Sequence, residues 1–213
     1  MLMKESREKI AEYGRRMVQD HLTTGTSGNI SLYDPQSGRM AIKPSGMAYD
    51  AIHAADVVVM DLQGHIIEGK RKPSSEYTLH ALMYQLDPSI RAVVHTHSMY
   101  CTVYACLRQP IRALHYLIAD LGADHIPCAE YATYGTQALA ENVAKAKTEA
   151  KAILLANHGL VTFDISLESA YRNAKNTEWL AELQYRAESI GKPYILSEKE
   201  IDTVMQSFKT YGQ

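Results

Sequence analysis

With 213 residues, 46% of them apolar and 22% charged, and a formal net charge of −2, the sequence has the composition of an ordinary globule, long enough for one α/β domain with a sizeable core. The near-neutral balance supplies no basic field for nucleic acid or an anionic membrane surface, and no apolar run approaches a transmembrane span. Partners of those two kinds are therefore not expected.

Residues 4–22 have helical periodicity, with Ile10, Tyr13, Met17 and Leu22 on one face. This start is charged and amphipathic rather than a secretory signal. Three cysteines (Cys101, Cys106, Cys128) form no CxxC, which predicts free buried thiols and a cytoplasmic setting. The glycines of "TTGTSGNIS" end the first helix. Short strands follow around 29–33, 39–43 and 56–61, and "DLQGHIIEG" predicts a hairpin turning at Gln63-Gly64. "KPSSEYTLHALMYQL" predicts a loop entering a helix, with Ser74 or Ser75 as its N-cap. "RAVVHTH" predicts a strand, 98–107 a helix, "GTQALAENVAKAKTE" a helix and "KAILLAN" a strand. A long helix over "SLESAYRNAKNTEWLAELQYRAESIG" stops at Gly191, and "SEKEIDTVMQSFKTYG" predicts a last one. No repeat or linker divides the chain, so residues 1–213 are expected to form one domain. Strands mixed with helices predict a sheet flanked by helices, and the early strands are too closely spaced for βαβ units, so the sheet should be largely antiparallel.

Within "AVVHTHSMY" (92–100), strand alternation puts His95 and His97 on one face. Two imidazoles at that spacing can grip one metal ion; two polar residues closing a strand is the plainer alternative. A second apolar run, "AILLANHGL", leads into His158 and a glycine. Three imidazoles suit zinc, with a fourth position left open, although cobalt, manganese or iron would also accept three nitrogens. His21, His53, His65, His80, His115 and His125 lack a comparable partner and are expected at the surface or as satisfied core residues.

Three small loops share another chemistry. "GTSGNIS" contains Gly28 and Asn29, "KPSGM" contains Ser45 and Gly46 beside Lys43, and "KPSSE" contains Ser74 and Ser75 at a helix start. Glycines with adjacent hydroxyls and free N–H groups can cradle a phosphate, and a helix N-terminus favours an anion. Each loop alone is equally well a turn or a cap. Glu76 follows the serines directly. It is either a first-turn carboxylate on the helix dipole or a group that ligates the metal and acts as a base when substrate displaces it.

These motifs, in this order and approximate spacing, resemble the class II aldolase and adducin-head family over essentially the whole chain. "LHYLIADLGADHIPCAEYATYGT" and "FKTYG" are most similar to members acting on L-fuculose 1-phosphate. The resemblance implies a nine-stranded sheet flanked by helices, assembled as a homotetramer with active sites at subunit interfaces. It implies zinc, one ion per subunit, on His95, His97 and His158, with Glu76 as the fourth ligand. Gly28, Asn29, Ser45, Gly46, Ser74 and Ser75 would bind the substrate phosphate. Tyr116 would reach a neighbouring subunit's site, Tyr211 would come from the tail, and Tyr134 and Phe208 would line the aldehyde pocket. The implied reaction is reversible cleavage of a ketose 1-phosphate to dihydroxyacetone phosphate and an aldehyde such as L-lactaldehyde, in fucose metabolism. Zinc would stabilise the enediolate, Glu76 would move the proton at C3, and Tyr116 would serve the aldehyde oxygen.

Two positions depart from the family's usual pattern. Asn157 precedes the third histidine, and Tyr134 stands where an aromatic without a hydroxyl is common. The alternatives on the same metal core are an L-ribulose-5-phosphate 4-epimerase and a methylthioribulose-1-phosphate dehydratase. An adducin-like binding module would have lost the histidines. A cupin-type oxygenase would want a glutamate shortly after His97, and residues 98–107 contain none.

Overall fold

In the computed structural model, residues 1–208 and 210 are described. Helix α1 (Lys4–Gln19) leads into two antiparallel hairpins, β1 (Asn29–Asp34) with β2 (Arg39–Ile42) and β3 (Val58–Asp61) with β4 (Ile66–Glu68). Helix α2 (Tyr77–Leu86) precedes β5 (Ala92–Thr96) and α3 (Met99–Leu107). Two short strands, β6 (Ile111–Arg112) and β7 (His125–Ile126), flank a 3-10 turn over Tyr116–Leu121. Then come β8 (Cys128–Ala129), α4 (Gln137–Ala146), β9 (Ala152–Leu155), β10 (Gly159–Asp164), α5 (Leu167–Ile190) and α6 (Glu198–Phe208).

Eight strands pair in the order β4-β3-β2-β1-β5-β10-β9-β8, and every pairing is antiparallel except β8 with β9. β6 and β7 form a separate pair. The main sheet therefore has eight strands among the described residues, not the nine expected. It carries helices on both faces. On one side, Ile30, Val59, Val94 and Leu160 pack with Ile10 and Met17 of α1, Tyr104 of α3 and Leu180 of α5. On the other, Met40, Val58, Val93 and Val161 pack with Leu79 and Met83 of α2 and Val143 of α4. Val93 and Val94 thus serve opposite layers, as strand alternation requires.

The predicted helices and first five strands lie where expected, with α1 ending at Gln19 rather than at 22. β10 was not predicted as a separate strand; it follows β9 directly, as the return arm of a hairpin turning through Ala156–His158. The first turn of α2 also differs from expectation. Glu76, not either serine, occupies the N-cap, and the Ser74 hydroxyl accepts from the Glu76 N–H at 3.3 Å. The cysteines are free, but only Cys101 is fully buried; Cys106 is exposed and Cys128 half-buried. Among the described residues, no helix is long and apolar enough to cross a membrane.

Candidate active site

β5 sits in mid-sheet between β1 and β10, and its C-terminal end carries the two histidines. Close backbone approach on both sides explains the two glycines in the flanking motifs. A Cβ on Gly28 would lie 2.8 Å from the His95 carbonyl oxygen, and one on Gly159 would lie 2.3 Å from that of Thr96. Neither distance is tolerable for a side-chain carbon, so "SGN" and "NHG" need glycine where they flank the strand end.

His95 lies in the strand, and His97 follows it, its N–H bonded to the Leu22 carbonyl at 3.1 Å. His158 arrives from the β9–β10 turn. Asn157, in the left-handed conformation at φ 54°, makes that turn; its N–H bonds to Ala105 O at 3.0 Å and its Oδ1 accepts from Arg108 Nε at 3.2 Å. Asparagine is among the residues that tolerate this conformation best. Tying it to the end of α3 aims the next residue, His158, at the strand end.

The three rings stand edge to face with centroids 4.7–5.0 Å apart. One nitrogen from each lies within 4.8 Å of the others. His95 Nδ1 faces the Leu160 carbonyl at 2.9 Å, and a carbonyl can only accept, so Nδ1 carries the hydrogen. The Nε2 lone pair then points to the centre, 3.0 Å from His97 Nε2. Glu76 closes the fourth side, with Oε2 3.3 Å from His95 Nε2 and Oε1 3.5 Å from His158 Nε2. Glu76 Oε1 is buried and accepts no hydrogen bond. Converging lone pairs and an orphaned carboxylate oxygen are what a cation satisfies, so the residues fit a bound divalent metal. Burial, reinforced by His95, lowers the pKa of His97 to about 3 and of His158 to about 4. Both imidazoles are therefore available as neutral ligands at neutral pH. Burial alone would raise the Glu76 pKa, but His95, His158 and the Asn29 amide outweigh it and keep the carboxyl ionised. The Glu76 carboxylate turns into the histidine cluster.

Glu76, His97 and His158 line a cavity of ≈ 440 Å³, with His95 buried behind them. Gly28, Asn29, Ser45, Gly46, Ser74 and Ser75 all line it, so the three small loops converge on one cavity. An isolated bridge between Pro44 and Pro73, with Ser45 N–H to Lys72 O at 2.9 Å and Ser74 N–H to Lys43 O at 3.0 Å, joins the second loop to the third. Lys43 extends beneath them. Its Nζ donates to Thr26 O at 2.8 Å and lies 4.7 Å from the centre of the Tyr49 ring. Burial lowers its pKa to about 8. Among the described residues no carboxylate is bonded to this amine, so an anion entering the cavity meets a buried cation.

Tyr134 lines the cavity, as does Tyr131, which sequence reasoning missed although it lies three residues earlier in the same loop. Tyr116 and Phe208 do not line it. They pack on each other with ring centroids 6.4 Å apart, and Tyr116 is 47% exposed. Tyr211 lies outside the described residues. Of the histidines given a structural role, His80 is fully buried and satisfied, as expected, but it adjoins the site through Asn29.

Comparison with known proteins gives the class. The model of the class II aldolase and adducin N-terminal domain matches residues 8–185. A 5-deoxy-D-ribulose 1-phosphate aldolase of Bacillus thuringiensis serovar kurstaki is 41% identical over all 213 residues, covering the full length of both chains. An L-fuculose phosphate aldolase of Escherichia coli O157:H7 is 44% identical over 197 residues, 92% of this chain and 90% of that one. A solved L-fuculose 1-phosphate aldolase superposes with a TM-score of 0.95 at 40% identity, over 98% of each chain. The chain belongs to the class II aldolase and adducin N-terminal domain family. It is an enzyme, a metal-dependent aldehyde-lyase of the aldolase type.

Proposed function

We propose that residues 1–213 act as one domain of a zinc-dependent aldolase that reversibly cleaves a ketose 1-phosphate between C3 and C4, giving dihydroxyacetone phosphate and a short aldehyde. The observation that carries this reading is the convergence of His95, His97, His158 and Glu76, the last three lining a cavity that the three glycine- and serine-rich loops also line. Those loops, with Lys43, suit the substrate phosphate. When bound, a divalent metal supplies Lewis-acid stabilisation of the negative charge left at C2 and C3. In synthesis the ionised Glu76 carboxylate takes the proton from C3, and in cleavage the carboxyl in its protonated form returns it. In synthesis a phenol protonates the alkoxide at C4, and in cleavage its phenolate takes the C4 hydroxyl proton, exchange with solvent restoring both groups between turnovers; we assign this phenol to Tyr116 of a neighbouring subunit, with Tyr211 beside it. The exposure of Tyr116 away from its own chain's cavity supports that arrangement, as part of a homotetramer. Tyr134 and Phe208 shape the aldehyde side. The setting we propose is the cytoplasm.

L-Fuculose 1-phosphate, in fucose metabolism, is the substrate the sequence segments favour. 5-Deoxyribulose 1-phosphate is the second reading, favoured by the 41% identity to an aldolase of that name over both whole chains. Both leave the same phosphorylated half and differ only in the aldehyde. The test offers each to the purified enzyme beside L-ribulose 5-phosphate and follows dihydroxyacetone phosphate. Release from either 1-phosphate is expected. Conversion of ribulose 5-phosphate to xylulose 5-phosphate, with no release from the others, would make the enzyme an epimerase instead.

A further inference from the structure

Asn29 and Ser31 are two residues apart on β1, and strand alternation puts them on one face, opposite His95 and Val93 of β5. Glu76, His80 and Tyr84 recur every four residues along α2, which packs on that face. Four helical residues rise about 6 Å and two strand residues about 6.8 Å, so the two rows keep step. Their side chains interleave as Glu76, Asn29, His80, Ser31, Tyr84. Asn29 Nδ2 donates to Glu76 Oε2 at 2.9 Å. Asn29 Oδ1 meets His80 Nε2. His80 Nδ1 lies 2.7 Å from Ser31 Oγ, and Ser31 Oγ lies 2.6 Å from the Tyr84 hydroxyl. All five residues are buried, and His80 and Ser31 have no exposure at all.

The direction of every bond follows from the carboxylate. An ionised Glu76 can only accept, so Asn29 must turn its NH2 towards it and its carbonyl towards His80. His80 Nε2 then has to carry a hydrogen. In a neutral ring Nδ1 must accept, so Ser31 donates to it, and Tyr84 donates to Ser31. We propose that Asn29, His80, Ser31 and Tyr84 form one directed hydrogen-bond chain that holds Glu76 in its working orientation, with His80 as the positioning residue at its centre. The proposal rests on the reading of Glu76 as the group that moves the C3 proton. Glu76 has no fixed partner on its Oε1 side, where it faces His158. The chain on the Oε2 side is therefore what fixes the carboxylate's orientation. Successive donors also polarise one another towards the carboxylate.

The test reads the His80 tautomer in the wild-type protein by long-range proton–nitrogen NMR on histidine-labelled material, with the signal assigned by its loss in His80→Gln. A hydrogen on Nε2 and a bare Nδ1 are expected; a hydrogen on Nδ1 would reverse the chain and overturn the proposal. The readout itself uses the unaltered protein, and only the assignment of the signal calls on His80→Gln, the conservative variant. Turnover and bound zinc are then compared in two variants. His80→Leu removes both bonds and should lower kcat by about tenfold or more with zinc retained, since small misplacements of a catalytic group carry losses of that order. His80→Gln keeps a donor towards Asn29 and should recover most of that loss. Wild-type kcat in a zinc-loaded His80→Leu enzyme would show the chain to be filler and overturn the proposal. Glu76→Gln separates the two claims. If it abolishes turnover while His80→Leu does not, only the chain fails; if it leaves turnover intact, the reading of Glu76 itself fails and the chain falls with it.

Discussion

Lys43 is the residue whose chemistry shows most directly in pH dependence. It is a buried amine held by a backbone carbonyl and an aromatic face, and burial sets its pKa at about 8. The protonated form predominates below that pH and is lost above it. A dianionic phosphate in the loops gains a charge-assisted bond only from the protonated form. KM for the sugar phosphate should therefore be flat up to about pH 8 and climb beyond it. Lys43→Met should raise KM by about ten- to a hundredfold at neutral pH and flatten the rise, given about 1.5–3 kcal/mol for such a bond. Steady-state kinetics across pH 6.5–9.5 would check this, and a wild-type KM that does not move would count against the assignment. At the same scale, the spacing of His95 and His97 made them readable as a pair, because alternation is a local property. His80 was not readable as part of the site. Its partners come from β1, about fifty residues earlier, and no local pattern pairs a helix histidine with a strand asparagine.

Among the elements, the β5 end between β1 and β10 decides whether the site exists. The glycine of "NHGL" marked His158 in the sequence, but its reason lies in the pairing of β10 with β5. Gly159→Ala places a carbon against the Thr96 carbonyl, where only backbone can give way. Overpacking of this kind costs about 1–3 kcal/mol. It also tilts the turn that carries His158, so the variant should lose both denaturant resistance and bound metal. An unfolding midpoint and metal content unchanged from wild type would refute the close-approach argument. β10 itself was missed because "GLVTFD" is a short run emerging from a turn, and β8 because two residues are too few to show any period. The small-residue loops were legible as candidates from composition, but the bridge that joins "KPSG" to "KPSS" is a tertiary pairing about thirty residues apart in the chain and has no local mark.

At the scale of the whole molecule, the fold brings both halves of the proposed chemistry to one end of the sheet. The first third of the chain supplies the anion loops and Glu76, and the two central strand junctions supply the histidines. Motif order in the sequence was enough to place the chain in its family. Order alone could not say that Tyr116 and Phe208 would pack together away from the cavity of their own chain. That separation is the structural ground for proposing an assembly in which subunits complete one another's sites.

The central claim is that His95, His97 and His158 hold a metal on which aldol cleavage depends. The most direct measurement is metal content by atomic emission, in the wild type and in His95→Ala, together with dihydroxyacetone phosphate release from L-fuculose 1-phosphate and 5-deoxyribulose 1-phosphate with and without chelator. We predict stoichiometric metal in the wild type, its loss in His95→Ala, and release that stops on chelation and returns with added zinc. Full-rate release from chelated protein, or stoichiometric metal retained by His95→Ala, would contradict the account.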